Sequence, residues 1–251
     1  MPTDPRSCKV FKFRSPTLPL DARGRPADAR GVFRCLIATG NPHKLEEFRA
    51  LLGAGVRVVS AREIPGGPAP AETGQTFEAN ARLKALAWAV HLAAGAGDPV
   101  VEWVLADDSG LEVDALDGAP GVHSARFAAA DGVHPRNAPD AENNSKLLRL
   151  LAGVPDAQRG AQFRCVLALT PVLRGLASGE LDARTRCFEG ICRGRIAREA
   201  SGKYGFGYDP LFIPDGLDRS FAALGDALKS RISHRARASE ALRAGGFPGT
   251  T

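Results

Sequence analysis

An apolar run, Val100, Val101, Trp103, Val104 and Leu105, leads almost directly into two adjacent carboxylates, Asp107 and Asp108, and then into Ser109 and Gly110. This constrains the chain more than any other feature, because it is how a buried strand presents acids at its end. Neighbouring side chains on a strand point to opposite faces, so Asp107 and Asp108 are expected to do different jobs, one facing a cleft and the other bracing the turn. Gly110 is expected to let the backbone turn sharply behind Ser109, and Gly118 to Gly121 to form a second tight loop ahead of Arg126. Carboxylates beside a hydroxyl at a strand end suit a hard divalent cation and a phosphorylated ligand. Taken alone, the same Asp-Asp-Ser-Gly tetrapeptide also composes a solvated turn.

The acids sit in a chain of 251 residues, enough for one large or two small domains with a buried core. A hydrophobic share of 44% speaks against disorder, and no apolar run is long enough to cross a bilayer. Lys and Arg exceed Asp and Glu by 33 to 28, a surplus that fits an anionic ligand. Five cysteines (Cys8, Cys35, Cys165, Cys187 and Cys192) form no paired CxxC frame, which disfavours a disulfide scaffold and a structural zinc site and points to a reducing cytoplasm. Residues 1–31, rich in Pro and Arg, are expected to be a flexible extension; Asp4, Asp21 and Asp28 argue against a transit peptide. Residues 32–243 are expected to form the domain, and the Gly-rich 244–251 a frayed tail.

Within that domain, Val32 to Ala38 reads as a strand and Lys44 to Leu52 as a helix, joined by Thr39-Gly40-Asn41-Pro42-His43-Lys44. A helix N-terminus offers free N–H groups and positive dipole to an anion, and Thr39, Asn41 and Lys44 add donors and a charge. The loop reads equally as an ordinary helix cap with a surface lysine. Val56 to Ser60 is a second strand, and a long helix begins near Thr76, with Glu72 just ahead of it, free to turn toward a metal. Pro139 to Leu151 reads as a helix, Gln162 to Leu169 as a strand able to pair beside the first, and Phe188 to Arg198 as another. Strands separated by helices, with a late cluster of strands, predict a three-layer α/β domain with a mixed central sheet flanked by helices. Three glycines interleaved with aromatics, from Gly205 to Tyr208 and ending in Asp209-Pro210, build a wall on which a flat ring can stack. After an expected helix over Phe221 to Leu228, Lys229, Ser233, His234 and Arg235 can donate to phosphate or to base oxygens, or simply form a basic helix end.

Five stretches now stand in order: TGNPHK from Thr39, ETGQTFEANA from Glu72, ADDSGLEVDALDGAPGVHSARF from Ala106, GFGYDPLF from Gly205 and SHR from Ser233. Together they resemble the inosine/xanthosine triphosphate pyrophosphatases, the house-cleaning Ham1-like enzymes that remove aberrant purine nucleotides. The resemblance spans about Phe33 to Leu242 and implies two lobes around a substrate cleft, a homodimer, and Mg²⁺-dependent hydrolysis of ITP, dITP or XTP to monophosphate and pyrophosphate. It implies that Thr39, Gly40, Asn41, Pro42, His43 and Lys44 hold phosphates and that Glu72 and Asp108 bind the metal. Asp108 would also be the proton acceptor and Ser109 would touch substrate. Phe206, Gly207, Tyr208, Asp209, Lys229, His234 and Arg235 would surround base and sugar. Whether Asp107 is a ligand or a brace stays open. The helix ahead of Lys229, FAALGDAL, is less acidic than is usual there. A pyrophosphatase for other nucleotides and a nucleic-acid-binding module are the competing classes; the acids at Glu72, Asp107 and Asp108 would repel a phosphate backbone, so little nucleic-acid binding is expected.

Overall fold

The computed structural model describes residues 32–95, 101–129 and 137–247, so the expected N-terminal extension and residues 248–251 lie outside the described residues. Six strands form one sheet in the order β2-β1-β3-β4-β5-β6. They are β1 (Phe33–Ile37), β2 (Val56–Ser60), β3 (Trp103–Val113), β4 (Gly160–Pro171), β5 (Arg186–Ile196) and β6 (Phe212–Pro214). Strands β2, β1 and β3 run parallel, and β3 to β6 pair antiparallel, so the sheet is mixed as expected.

Alternation along β3 divides the core into faces. Val104 and Ala106 pack with Phe77, Ala81, Ala85 and Trp88 of helix α2 (Phe77–Ala93). Trp103 and Leu105 pack on the other side with Phe48 and Leu52 of helix α1 (Pro42–Leu52) and with Ala238 and Leu242 of the last helix, His234–Ala244. That is the period-two pattern of a strand buried on both faces. A third cluster, including Leu111, Val113, Phe163, Phe212 and Phe221, fills the far end beneath helix α3 (Asp140–Leu150).

Three local expectations are corrected. Strand β3 does not end at the acids but runs on to Val113, and Gly110 stays inside it. A β-carbon at Gly110 would collide with Ser124 Oγ and the Gly121 carbonyl, so the glycine is there for close approach and not for a turn. The acids are nevertheless at an opening, because β1 stops first: its register with β3 closes at Ile37 opposite Leu105, and at Asp107 and Asp108 the strand β3 is paired with β4 alone among the described residues. Second, the Gln162 strand lies beside β3 and β5, since β1 already has β2 and β3 on its two edges. Third, the helix expected over Phe221 to Leu228 is broken at Gly225, whose φ of 85° splits it into α5 (Phe221–Leu224) and α6 (Asp226–Ile232). Between β4 and β5 sits a short α4 (Ser178–Ala183), and Ser233 caps the last helix, α7, by accepting from Ala236 N, so SHR opens a helix where the sequence also allowed a helix end. Packing continues past residue 243: Phe247 is 2% exposed and meets Trp103 edge to face.

Candidate active site

Where β1 stops, its chain turns over the open edge of β3 and enters α1. Asn41 caps that helix, its Oδ1 accepting from His43 N at 2.9 Å and Lys44 N at 3.3 Å, while Thr39 Oγ1 accepts from Asn41 N at 3.1 Å. Pro42 follows the cap, where its missing N–H costs nothing. Lys44 is thereby aimed inward, its Nζ 3.0 Å from Asp107 Oδ1. Arg62, which the sequence did not suggest, donates to the Gly40 carbonyl at 2.9 Å from outside the loop.

The two acids of β3 point to opposite sides, as the pleat requires. Asp107 faces α1 and α7. Its carboxylate meets Lys44, accepts from Ser109 Oγ at 2.9 Å, and lies 3.3 Å from Arg235 Nε. Arg235 also reaches Glu47 Oε2 at 2.9 Å and Ser109 Oγ at 2.6 Å. Glu47 in turn holds Lys229 Nζ at 2.8 Å, and Lys229 donates to Asp209 Oδ2 at 2.6 Å. The result is one chain of alternating charges from Asp107 to Asp209, buried except at the part-exposed Glu47. Burial alone would raise the Asp107 carboxyl, but Lys44, Arg235 and Lys84 hold it well below the usual carboxylate range. Glu47 is lowered too: Arg235 and Lys229 outweigh the cost of burial.

Asp108 faces α2, and its surroundings differ. Its Oδ1 is 3.0 Å from Lys84 Nζ, and its Oδ2 accepts from Asn80 Nδ2 at 3.2 Å. Asn80, fully buried, uses its own Oδ1 to accept from Gly74 N at 2.7 Å, which draws the Glu72 loop against the helix; a β-carbon at Gly74 would press on Asn80. Glu72 Oε1 is then 3.0 Å from the same Lys84 Nζ, and Arg126 Nη1 lies 3.6 Å from Glu72 Oε2. Burial raises the Asp108 carboxyl above its ordinary value, only partly offset by Lys84, and Glu72 pushes it further up. Burial would raise Glu72 as well, yet Lys84, Lys44 and Arg126 together lower it. Adjacent acids pushed in opposite directions are the pattern of a proton acceptor beside a fixed charge.

Glu72 and Asp108 converge on one point, which the Lys84 ammonium fills. Two hard carboxylate oxygens aimed at one cation match what Mg²⁺ takes from a protein when phosphates and waters complete its octahedron. Among the described residues no group of three or more His, Cys, Asp or Glu gathers that could hold a metal unaided.

The residues expected to surround base and sugar also come together, in differing surroundings. Phe206 is half-buried, flanked by Gly205 (φ 73°) and Gly207 (φ 63°), and stacks on the His43 ring with centroids 5.4 Å apart. Lys229 Nζ lies 4.5 Å and the Arg235 guanidinium 5.3 Å from the Phe206 centroid. The Tyr208 hydroxyl is turned into the core, donating to the Ser124 carbonyl at 2.9 Å, and Asp209 accepts from Phe206 N. His234 is 2% exposed and stacks on Phe163 at 4.7 Å; burial first, then Arg235 and Lys229, push its pKa well below the ordinary value, so it is neutral. These residues, with Asn41, Lys44 and Ser109, border a cavity of about 130 Å³.

The Ham1 family model matches residues 35–245 of this chain. A dITP/XTP pyrophosphatase of Opitutus terrae is 49% identical over 209 residues, covering 80% of this chain and 93% of its own length. One from Pseudomonas aeruginosa is 47% identical over 208 residues, with coverage of 83% and 94%. Among solved structures, a Ham1 protein from Coxiella burnetii superimposes with a TM-score of 0.68 at 37% identity over 85% of this chain and 98% of its own. The Staphylococcus aureus Ham1 protein does so with a TM-score of 0.67 at 36% identity, covering 84% and 96%.

Proposed function

This chain belongs to the Ham1 family, and from that premise we propose that it hydrolyses dITP, ITP and XTP to the nucleoside monophosphate and pyrophosphate. Convergence of Glu72 and Asp108 on one cationic point, at the open edge of β3 and next to Lys44, carries the assignment. In our proposal the triphosphate crosses that edge within a cleft between two lobes. Its phosphates lie toward Thr39 to Lys44, and its base lies against Phe206 on the Asp107 side.

Repulsion between a triphosphate and an incoming hydroxide is the barrier that positive charge must lower. Lys44 and Lys84 supply it from the protein. Lys84 stays protonated, because Asp108, Asp107 and Glu72 outweigh the effect of its burial. Mg²⁺, held by Glu72 and Asp108, would add Lewis-acid neutralisation of the phosphate oxygens. Asp108 accepts the proton of the attacking water, a role suited to a carboxyl whose affinity for a proton burial has raised. Asn80 keeps it oriented by donating to Oδ2. Asp107, walled off by Lys44 and Arg235, braces those cations. The Arg235 N–H groups beyond those held by Asp107, Glu47 and Ser109 can donate to the six-position oxygen of hypoxanthine or xanthine. Facing adenine, which offers a donor there, they would be left unpaired, a mismatch that can discriminate by ~10⁴.

Among the described residues no helix is long and apolar enough to cross a membrane. We further propose a homodimer acting in the cytoplasm without nucleic acid. Product analysis with Mg²⁺ tests the activity. Pyrophosphate and monophosphate should appear one for one from dITP and XTP, with dATP turned over far more slowly. Orthophosphate as the first product, or no turnover at all, would overturn the proposal.

A further inference from the structure

Phe206 is the shared wall of two cavities. On one side lies the 130 Å³ space bordered by Ser109, His234 and Arg235; on the other lies a space of about 570 Å³ bordered by His43, Glu47, Tyr204 and Ser230. No strand or helix fixes the ring, since Phe206 stands between two glycines with left-handed backbones. Its backbone is tied down nonetheless: Phe206 N donates to Asp209 Oδ2 at 2.9 Å, Gly207 N to Asp140 Oδ2 at 2.6 Å, and Asn144 Nδ2 to the Gly207 carbonyl at 3.0 Å. Backbone anchored and side chain unframed, the ring takes its position from what it touches. Those contacts include the cations of Lys229 and Arg235 and the imidazole of His43, nearly parallel at 18°.

We infer that His43 is a positioning residue for the base end of the site, setting the Phe206 ring as a stacking platform, and that its side chain is not a phosphate ligand. The sequence placed His43 in the phosphate loop, and its backbone N–H is there, but it is already taken by Asn41 Oδ1. Its ring leans the other way. Pro42 and the Asn41 cap fix the backbone at position N2 of α1, and from there the ring lies against Phe206. The loop that approaches the phosphates and the wall that meets the base are thereby joined by a single ring-to-ring contact. A stacked aromatic pair contributes enough to shift an equilibrium by roughly three- to tenfold.

This inference rests on the proposed pyrophosphatase activity, so the parental enzyme is assayed first with dITP and Mg²⁺; no turnover there would defeat that activity, not the role of His43. Given turnover, His43→Ala should raise KM for dITP by ~3- to 10-fold while kcat changes by less than about twofold. His43→Phe, which keeps a ring at the site, should restore most of the loss. In a Phe206→Ala background, His43→Ala should add almost nothing. His43 is exposed, so each His43 variant should fold as the parent does, and a melting curve of each checks it. An unchanged KM in His43→Ala, a loss that falls mainly on kcat, or the same loss with and without Phe206 would overturn the inference.

Discussion

The two faces of β3 carry the same residue type one position apart and treat it in opposite ways. On the α1 and α7 face, Asp107 is enclosed by Lys44 and Arg235 and locked as a charge. On the α2 face, Asp108 pairs among the described residues with one cation, Lys84, which it shares with Glu72, and burial raises its carboxyl. The pleat alone separates them, and cation supply does the rest. A carboxylate surrounded by fixed positive charge is a structural counter-ion, whereas one that is short of it is available to take a proton.

That contrast can be broken most severely at Asp108. Asp108→Asn should keep the fold and lower kcat for dITP by ~10² to 10⁴, the usual worth of a positioned base, in a steady-state pyrophosphate assay. Next in size, Asp107→Asn should cost about 3 kcal/mol of stability in denaturant titration, because it leaves the buried Arg235 and the part-buried Lys44 beside a neutral amide. Third, Lys84→Met should tighten Mg²⁺ binding to the nucleotide-free protein by several-fold in calorimetry, since the ammonium between Glu72 and Asp108 competes with any metal for that point. A pH-dependent effect lies with His234, on the Asp107 side. Its folded pKa is below the unfolded value near 6.5, so the unfolded chain takes up a proton that the folded one refuses. Stability from this group is therefore complete above about pH 6.5 and falls as pH drops, by up to about 1.4 kcal/mol per unit. His234→Phe should remove that slope from unfolding curves recorded between pH 7 and 5.

Much of the fold was legible because its signals are local. Thr76 before Phe77, Asn41 before Pro42 and the apolar periodicity of α1 each announce an element within a few residues. Leu111 and Val113, alternating beyond Gly110, carried the message that β3 continues, but the glycine drew the expectation toward a turn. Site residues that escaped notice have partners far along the chain. Glu47 meets Arg235 across 188 positions, and Lys84 meets Asp108 across 24. Nothing in local spacing encodes such pairs. A weak trace existed: Asn80 and Lys84, four apart in a helix whose neighbours Ala81, Ala85 and Trp88 are all buried, share the inward side, where a polar pair needs partners. Lys44 and Glu47, three apart, likewise share one side of α1.

The difference between the faces is tested most directly by measuring Asp107→Asn and Asp108→Asn side by side on two scales, pyrophosphate release per folded molecule and free energy of unfolding. The ranks should cross: Asp108→Asn the slower enzyme, Asp107→Asn the less stable protein. If one variant is worse on both scales, or if Asp108→Asn releases pyrophosphate at the parental rate, the division of labour across β3 is wrong.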